Sequence, residues 1–562
     1  MESLEKKQYS YVSKPKSQPY IYDTIVGIFL KNADKYPGRE IFIYCDIDGN
    51  RETITYGELK KRSFLFAGYL ISKGIEKGDH VALFGPNSIE YVIAELGIII
   101  AGGISVHLAV SITDTSDIIT IFRETKCTAF LIDPGQKGQF VDSVTQLLSF
   151  CQEKRSSPDA ETSDFLVVLL RDMDGAENFP TMKTALEINK SHVTFPELYP
   201  EDICIVFTTS GSTGRPKMVP HSHFAMINPP MPTDGEEPIE NVFYNDRPFG
   251  WLGGSPLLSL LQGQPRVFTD ASVAIAGGNM EKVWKIIKSE KCTGAILMPY
   301  FLCDLISKKD DYKDPFKLKF IFTGGQIMES YYAQVIGVYT EAMMMGYGST
   351  EVLFVSMHEP IKEGDCLETG RVGTIGEGVQ LKIVDYGGRI THKGQSGEIC
   401  VKSELVFNGY YENDEATKAT FLPGGWMRTG DIGYIKEDNS IVVEGRVKDV
   451  ISRGTRKVMP HGVEDVISEM KGILHVVVVA VPDKRLYEEV CACFVVKDGF
   501  TVSEKDVERF CSTKMLKSAT LDGLGDIPTY YLKFENFPCL ASGKPNKTSI
   551  KLSAIEKLNL EM

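Results

Sequence analysis

Short apolar runs of strand length alternate along this chain with longer segments in which apolar positions recur at helical spacing. Residues 79–85 (DHVALFG), 129–133 (AFLID) and 165–170 (FLVVLL) are runs of the first kind, and residues 88–99 have helical spacing. Strand-length runs that alternate with helical segments are typical of α/β proteins. The pattern therefore predicts sheets with helices packed against them.

The longest uncharged run, residues 96–113, contains three glycines and His107. A transmembrane helix needs roughly 20 predominantly apolar residues in succession. We therefore predict a buried helix that leads into a strand, and no membrane span. Two polar segments, residues 153–164 and 234–238, are predicted to form exposed loops.

Length and charge narrow the class of protein. A chain of 562 residues exceeds the size of one hydrophobic core, so at least two domains are expected. The formal net charge of −14 would repel a phosphate backbone, and we expect no nucleic-acid partner.

Cysteine usage and the N-terminal residues bear on the cellular compartment. The twelve cysteines include no CxxC pair, and the first twenty residues lack the apolar core of a signal peptide. These features predict a reducing compartment, and we expect the cytoplasm.

A loop rich in glycine and hydroxyl groups, residues 208–217 (TTSGSTGRPK), follows the apolar strand of residues 203–207. Glycines let backbone N–H groups converge on an anion, hydroxyls add donors and a lysine adds charge, so the loop is a candidate phosphate site. It is not a Walker A loop, because that motif needs GxxxxGK[ST]. The alternative is a flexible, solvated loop.

Two further segments place a carboxylate next to hydroxyl groups. Residues 346–351 (GYGSTE) follow the apolar run of residues 342–345, where Glu351 is a candidate ligand for Mg²⁺. The alternative is a turn in which Ser349 or Thr350 caps a helix. In residues 425–431 (GWMRTGD), Asp431 is a candidate acceptor for the two hydroxyls of a ribose, and a simple turn is the alternative.

The order and spacing of these segments resemble the adenylate-forming enzymes, which include acyl-CoA synthetases, adenylation domains of nonribosomal peptide synthetases and beetle luciferases. The resemblance covers nearly the whole chain. The matching segments are residues 53–59, 74–88, 208–217, 322–326, 346–351, 428–431, 445–449 and 541–544.

The resemblance implies a role for each matching residue. The β- and γ-phosphates of ATP would contact Thr209, Ser210, Gly211, Ser212, Thr213, Gly214, Arg215 and Lys217. Thr350 would contact the α-phosphate and Glu351 would hold Mg²⁺. Adenine would lie beside Gly324, Gly325 and Gln326, with Tyr347 stacked on it. The neighbouring Gly346, Gly348 and Ser349 would also contact the nucleotide. Asp431 and Arg446 would bind the ribose. Lys544 would bridge the substrate carboxylate and the α-phosphate, and is counted with Lys217, Thr350 and Arg446 among the catalytic residues.

The resemblance also implies an α/β fold with two domains. A large N-terminal AMP-binding domain, residues 1–447, would contain several sheets flanked by helices, and a small α+β domain, residues 448–562, would rotate about a hinge at Lys448. After that rotation, coenzyme A would contact Gly454, Thr455, Arg456 and Lys457. A surface lysine in an exposed turn is the alternative for Lys448.

The substrate is expected to be a small carboxylic acid. By their position between the matching segments, the candidate residues of the acyl pocket are His223, Trp251, Leu252, Gly253, Gly325 and Met345. No carboxylate stands among them to pair with the ammonium of an amino acid, and an unpaired buried charge is costly. We therefore predict an uncharged apolar tail, of a medium-chain fatty or aryl acid. Trp251 is predicted to fill space in this pocket, and core packing is the alternative.

ATP, Mg²⁺ and coenzyme A are the implied cofactors of an AMP-forming acid–thiol ligase. An adenylating oxygenase of the luciferase type would use the same ATP site, so these residues leave open whether the acceptor is coenzyme A, a carrier-protein thiol or oxygen. A nucleotide-binding regulator without catalysis is a further alternative. Retention of Lys217, Glu351, Asp431, Arg446 and Lys544 together argues against it. The sequence does not fix the oligomeric state.

Overall fold

The computed structural model describes most of the chain. The described residues are 8–108, 115–135, 140–155, 165–187, 193–209, 217–229, 241–270, 273, 279–328, 330–454, 456–515, 525–539 and 544–560.

The helices lie throughout the chain. In chain order they are α1 (Ile25–Lys35), α2 (Tyr56–Ser72), α3 (Ile89–Ile100), α4 (Thr115–Glu124), α5 (Val141–Arg155), α6 (Met182–Glu187), α7 (His223–Ile227), α8 (Pro256–Gln262), α9 (Met280–Ser289), α10 (Pro299–Ser307), α11 (Asp414–Thr420), α12 (Pro460–Ser468), α13 (Glu504–Lys514) and α14 (Lys547–Lys557). Short 3₁₀ helices occur at Leu252–Gly254, Ser330–Val335 and Val447–Asp449.

The strands in chain order are β1 (Tyr11–Lys14), β2 (Glu40–Cys45), β3 (Arg51–Thr55), β4 (His80–Phe84), β5 (Ile104–Leu108), β6 (Ala129–Ile132), β7 (Leu166–Leu169), β8 (Ile203–Thr209), β9 (Lys217–Ser222), β10 (Phe243–Tyr244), β11 (Arg266–Phe268), β12 (Gly294–Ile296), β13 (Leu318–Gly324), β14 (Thr340–Ser349), β15 (Leu353–Met357), β16 (Ile361–Lys362), β17 (Thr374–Ile375), β18 (Val379–Val384), β19 (Gly397–Lys402), β20 (Phe421–Leu422), β21 (Trp426–Ile435), β22 (Ile441–Arg446), β23 (Ile451–Arg453), β24 (Arg456–Val458), β25 (Ile473–Asp483), β26 (Tyr487–Val496) and β27 (Tyr530–Phe534).

Two sheets contain most of the parallel strands. One sheet has the order β7-β6-β4-β5-β8-β9 and is parallel except for the β8–β9 pair. The larger sheet, called the ten-stranded sheet below, has the order β17-β15-β14-β13-β12-β10-β11-β2-β3, with β16 paired to β14. One hydrophobic core joins residues of both sheets to α1, α2 and α3. The helices therefore lie between the two sheets.

Helix α3 shows why this layer forms. Ser88 Oγ accepts a hydrogen bond from the backbone N–H of Tyr91 at 3.0 Å, which caps the helix at the residue predicted to begin it. The sequence IEYVIAELGIII is apolar on every face, as a helix covered on all sides must be. Its one buried acid, Glu95, lies 3.2 Å from the imidazole Nε2 of His107 on β5. The run of residues 96–113 is thus a buried helix followed by a strand as far as it is described.

The third sheet, β1-β18-β19-β21-β20 with β22 paired to β21, is antiparallel throughout. The fourth consists of β23 to β27 alone, all after residue 450, and has a separate hydrophobic core on each face. Helices α12, α13 and α14 belong to this part of the chain. The predicted architecture, a large α/β domain followed by a small α+β domain, is confirmed.

One local prediction needs correction, and two of the alternatives are wrong. Residues 153–155 of the predicted polar loop belong to α5, and both residues 156–164 and the loop of residues 234–238 lie outside the described residues. The alternative of a helix capped by Ser349 or Thr350 is wrong, because β14 continues through Ser349 and a short turn leads directly into the antiparallel strand β15. The alternative of a simple turn at Asp431 is wrong, because Asp431 lies within β21.

Candidate active site

Lys544, close to the C-terminus of the chain, contacts the large domain at the end of β13. Its Nζ donates a hydrogen bond to the backbone carbonyl of Gly325. Gly325 has a φ of +79°, which favours glycine, and an added Cβ would lie 3.7 Å from that Nζ. The pKa of Lys544 is lowered, first by desolvation and then by the positive charge of Arg446. The contact places a lysine of the small domain at the sheet edge of the large one.

Asp431 and Arg446 form the second part of the site. They are directly opposite each other in the β21–β22 ladder, with Arg446 Nε 2.7 Å from Asp431 Oδ1. Tyr347 on β14 donates its hydroxyl to Asp431 Oδ2 at 2.7 Å. Burial raises the pKa of Asp431, although Arg446 and Tyr347 both act to lower it. An acid held in this way keeps its position without a bound nucleotide.

Glu351 lies in the turn after β14 and accepts two hydrogen bonds from side chains. Ser349 Oγ donates to Glu351 Oε2 and the hydroxyl of Tyr410 donates to Oε1, both at 2.9 Å. Lys217 Nζ lies 4.5 Å from the centre of the Tyr410 ring. Burial and the neighbouring Glu351 raise the pKa of Tyr410 above its ordinary value, so the phenol keeps its proton. Tyr410 therefore connects the predicted phosphate lysine with the predicted metal ligand.

Only the two ends of the glycine-rich loop are described. Thr209 ends β8 and Lys217 begins β9, and the two residues are paired in the ladder. The predicted phosphate ligands between them, Ser210, Gly211, Ser212, Thr213, Gly214 and Arg215, lie outside the described residues. Lys217 is nevertheless close to Tyr410, so this end of the loop lies at the same site as Glu351.

His221 contacts the site, although it was not predicted from the sequence. His223, which was predicted to line the acyl pocket, does not contact the site. His221 Nε2 is 2.7 Å from the carbonyl oxygen of Thr350, and burial lowers the pKa of His221 to about 4. His223 begins α7, and its Nδ1 accepts the backbone N–H of Ile25 at 3.2 Å. Because β9 ends at Ser222, the two histidines do not share a strand face, and we leave His223 out of the proposed acyl pocket.

The backbone of β14 lies close to those of β13 and β15 at the segments predicted to bind the nucleotide. A Cβ on Gly324 would lie 2.6 Å from the carbonyl oxygen of Gly346, and one on Gly348 would lie 2.0 Å from that of Leu353. Real Cβ atoms do not approach oxygen so closely, so both positions require glycine. Gln326 follows this segment and is exposed. Tyr347 between these glycines points its hydroxyl to Asp431.

The remaining predicted residues lie in two separate places. Gly454 and Lys457 flank the hairpin between β23 and β24, and Lys457 Nζ donates to Ser452 Oγ at 2.6 Å. Thr455 and the side chain of Arg456 lie outside the described residues. Of the candidate acyl residues, Met345 is fully buried in β14, Trp251 and Leu252 are half-buried and Gly253 is exposed.

The part of the chain that the structure describes contains no group of three or more His, Cys, Asp or Glu side chains placed to share a metal ion. In the same part of the chain, no helix combines the length and the apolar character that crossing a bilayer requires. No disulfide joins any of the twelve cysteines, all of which are described.

Comparisons with known proteins find matches to both parts of the chain. A family model described as "AMP-binding enzyme" matches residues 29–411, and one described as "AMP-binding enzyme C-terminal domain" matches residues 462–525. The chain is 26% identical to medium-chain acyl-CoA ligase ACSF2, mitochondrial, of Danio rerio, over 98% of this chain and 91% of that protein. It is 25% identical to oxalate–CoA ligase of Arabidopsis thaliana, over 95% of this chain and 99% of that protein. Among solved structures, anthranilate CoA ligase AuaEII with anthranoyl-AMP has a TM-score of 0.80 at 20% identity, covering 97% of this chain and 99% of that one.

Proposed function

This chain belongs to the family of AMP-binding enzymes, as the order of its motifs predicted, and we propose that it joins a carboxylic acid to coenzyme A. In a first step, a carboxylate oxygen attacks the α-phosphorus of ATP, forms the acyl-adenylate and releases pyrophosphate. In a second step, the thiol sulfur attacks the acyl carbon, the thioester forms and AMP leaves. The named activities of the relatives support coenzyme A as the acceptor.

The contact between Lys544 and Gly325 is the observation that carries the proposal. Attack of a carboxylate on a phosphate brings two anions together, so a cation placed where they meet stabilises the transition state. Lys544 is such a cation, and it lies near Asp431 and Arg446, which both influence its pKa. A general base is unnecessary because the carboxylate nucleophile is already ionised at neutral pH.

Three parts of the site would hold the nucleotide: one for the ribose, one for adenine and one for the phosphates. Asp431, fixed by Arg446 and Tyr347, would accept hydrogen bonds from the ribose hydroxyls. Tyr347 would stack on adenine beside Gly324, where the absence of side chains leaves the backbone accessible. Thr209 and Lys217, at the ends of the glycine-rich loop, would contact the phosphates.

The residues present fit Mg²⁺ bound together with ATP. Mg²⁺ prefers oxygen ligands and is usually held by one or two carboxylates together with substrate phosphates and water. Glu351 supplies one carboxylate, oriented by Ser349 and Tyr410, and Lys217 lies close by. We propose that Glu351 holds the ion, which would neutralise phosphate charge during the attack.

The second step would require the small domain to move. We propose a boundary between residues 447 and 448, with the hinge at Lys448 in the exposed 3₁₀ helix Val447–Asp449. Rotation there would remove Lys544 from Gly325 and bring the hairpin of Gly454 and Lys457 towards the thiol, a hinge closure of a common kind.

For the acid we propose an apolar body, of a medium-chain fatty or aryl type. Trp251, Leu252 and Met345 offer apolar surface, and each buried methylene would contribute about 0.8 kcal/mol. We also propose that the enzyme works in the cytoplasm, which the absence of disulfides among the twelve cysteines supports.

Exchange of radiolabelled pyrophosphate into ATP tests the first step directly. We expect exchange only when an acid is added, with medium-chain or aryl acids better than acetate or free amino acids. Addition of coenzyme A should then give the thioester and AMP in equal amounts. Exchange that no acid stimulates would refute the proposal.

A further inference from the structure

An exposed aromatic ring lies at the start of β26 in the small domain. Tyr487 is 82% exposed, and its backbone has a φ of +69°. A bulky residue rarely adopts a positive φ, because its Cβ then crowds the neighbouring backbone carbonyl. Strain of this kind is retained mainly at functional sites. Neither burial nor backbone geometry accounts for a tyrosine at this position, which points to a role outside the packing of the fold.

The backbone next to Tyr487 is fixed by hydrogen bonds. Residues 484–487, called the tip below, connect β25 to β26. Asp483 Oδ1 accepts the backbone N–H groups of Arg485 at 2.8 Å and of Leu486 at 2.7 Å. The position of the exposed ring is therefore supported by an ordered turn.

The tip is attached to the β23–β24 hairpin, which we propose to contact coenzyme A. The carbonyl of Leu486 accepts the backbone N–H of Gly454 at 2.8 Å, and Tyr487 pairs with Arg453 in the β23–β26 ladder. Arg453 is buried, and its Nε lies 2.8 Å from Glu489 Oε2. A rotation that brings the hairpin towards the thiol would therefore bring the tip with it.

Positively charged side chains accompany the ring. Lys484 and Arg485 are exposed on the tip, and Lys457 is exposed on the hairpin. The acid before the tip already accepts two backbone N–H groups, and Glu488 Oε2 accepts that of Ser452 at 2.7 Å. An exposed aromatic ring with cations beside it suits a nucleotide, because the ring stacks on the base and the cations attract the phosphates.

We propose that the tip binds the nucleotide end of coenzyme A, with adenine stacked on Tyr487 and the phosphate groups close to Lys484, Arg485 and Lys457. This inference rests on the proposed function and names residues for the part of coenzyme A that is far from its thiol. The tip is exposed while Lys544 contacts Gly325. The nucleotide end can therefore bind before the small domain rotates.

Acceptors with and without the nucleotide test the inference. Synthetic acyl-adenylate is supplied so that only the thioester step is measured, either with coenzyme A or with pantetheine, which keeps the thiol and lacks the nucleotide. Tyr487→Ala should raise the KM for coenzyme A about tenfold, since one base loses its stacking partner. It should leave the KM for pantetheine unchanged.

The nucleotide without the thiol gives a second measurement. Adenosine 3′,5′-bisphosphate should compete with coenzyme A in the thioester step. Its inhibition constant should rise in Tyr487→Ala by the same factor as the KM for coenzyme A, because both molecules would lose the same stacking contact. Arg485→Gln should raise both values several-fold through the loss of a phosphate contact.

Further variants separate the ring from the backbone. Tyr487→Phe keeps the ring and should keep the KM for coenzyme A. Tyr487→Gly should raise this KM as Tyr487→Ala does, while the urea midpoint of unfolding should not fall, because glycine adopts a positive φ without strain. The matched control is Tyr386→Ala, which removes a tyrosine that is 81% exposed in the turn after β18 of the large domain. It should change none of these values.

The outcomes distinguish this inference from the proposed function. The inference is overturned, and the proposed function stands, if Tyr487→Ala leaves the KM for coenzyme A or the inhibition by the bisphosphate unchanged. An equal rise in the KM for pantetheine, or a similar rise in Tyr487→Phe, would also overturn it. If acids support pyrophosphate exchange but coenzyme A yields no thioester, the proposed acceptor is wrong and the inference fails with it.

Discussion

The hydroxyl of Tyr347 donates a 2.7 Å hydrogen bond to Asp431, although the two residues belong to different sheets. Tyr347 lies on β14 of the ten-stranded sheet and Asp431 on β21 of the antiparallel sheet. The residue proposed to stack on adenine thus also orients the residue proposed to bind ribose. A change at either position should therefore affect the binding of ATP as a whole.

Asp431→Ala should raise the KM for ATP, because two ribose hydrogen bonds to a charged acceptor are lost. Each is worth roughly 1.5–3 kcal/mol, so the loss of both is expected to raise the KM by about a hundredfold or more. Tyr347→Phe, which removes one donor to Asp431, should raise it less. Initial rates of pyrophosphate exchange at varied ATP measure the effect. Asp438→Ala, in the exposed turn between β21 and β22, is the control. An ATP dependence unchanged in Asp431→Ala would show that this acid does not contact the nucleotide.

Lys544→Ala should abolish adenylation but spare the thioester step. The lysine contacts Gly325 in the described arrangement and would be far from the thiol in the second, so it acts in only one transition state. Pyrophosphate exchange measures the first step, and thioester formation from synthetic acyl-adenylate measures the second. Lys547→Ala, three residues away and paired with Glu464, is the control. Equal losses in both steps would contradict the assignment.

Adenylation should also fall at alkaline pH through Lys544. Its pKa lies below the ordinary lysine value of 10.5, first because of desolvation and then because of Arg446. Only the protonated amine carries the required charge, so activity is present below this pKa and is lost as the pH rises through it. Arg446→Gln should move the alkaline limb to higher pH by removing a nearby positive charge. If the alkaline limb of Arg446→Gln stays at the same pH as that of the unchanged protein, a group other than Lys544 causes it.

The sequence predicted those parts of the fold that depend on local pattern. The apolar runs became β4, β6 and β7, and Ser88 caps α3 as expected, because burial and capping are properties of adjacent residues. Contacts between distant segments were not predictable in this way. Tyr410, which links Lys217 to Glu351, lies in a segment without a motif. His221 was missed because the end of β9 at Ser222 decides which histidine faces the site.

His221 should make stability depend on pH. Its pKa is about 4 in the folded protein because of burial, against about 6.5 when unfolded, so the unfolded chain binds the proton first. Its stabilising contribution is complete above pH 6.5 and is lost as the pH falls towards 4. His221→Gln should therefore cost more stability at pH 7 than at pH 5, by roughly 2 kcal/mol. Urea unfolding at the two pH values measures this, with His358→Gln as the control. A cost independent of pH would refute the explanation.

Trp251→Ala should move the preferred acid to longer chains, if the indole fills space in the acyl pocket. Each added methylene that becomes buried should contribute about 0.8 kcal/mol until the enlarged pocket is full. The measurement is kcat/KM across straight-chain acids. Trp426→Ala, whose indole lies under Lys382 in the antiparallel sheet, is the matched control. An unchanged optimum would mean that Trp251 only packs the loop before α8.

Arg446 is the last residue of β22 and directly precedes the 3₁₀ helix that contains Lys448. Arg446 lies on the large-domain side of the proposed hinge and Lys544 on the small-domain side. A turn at Lys448 would therefore leave Arg446 and its ion pair with Asp431 in place, while Lys544 would move away with the small domain. The nucleotide could then stay bound to the same acid and guanidinium through both chemical steps, so that the adenylate need not be released and recaptured between them.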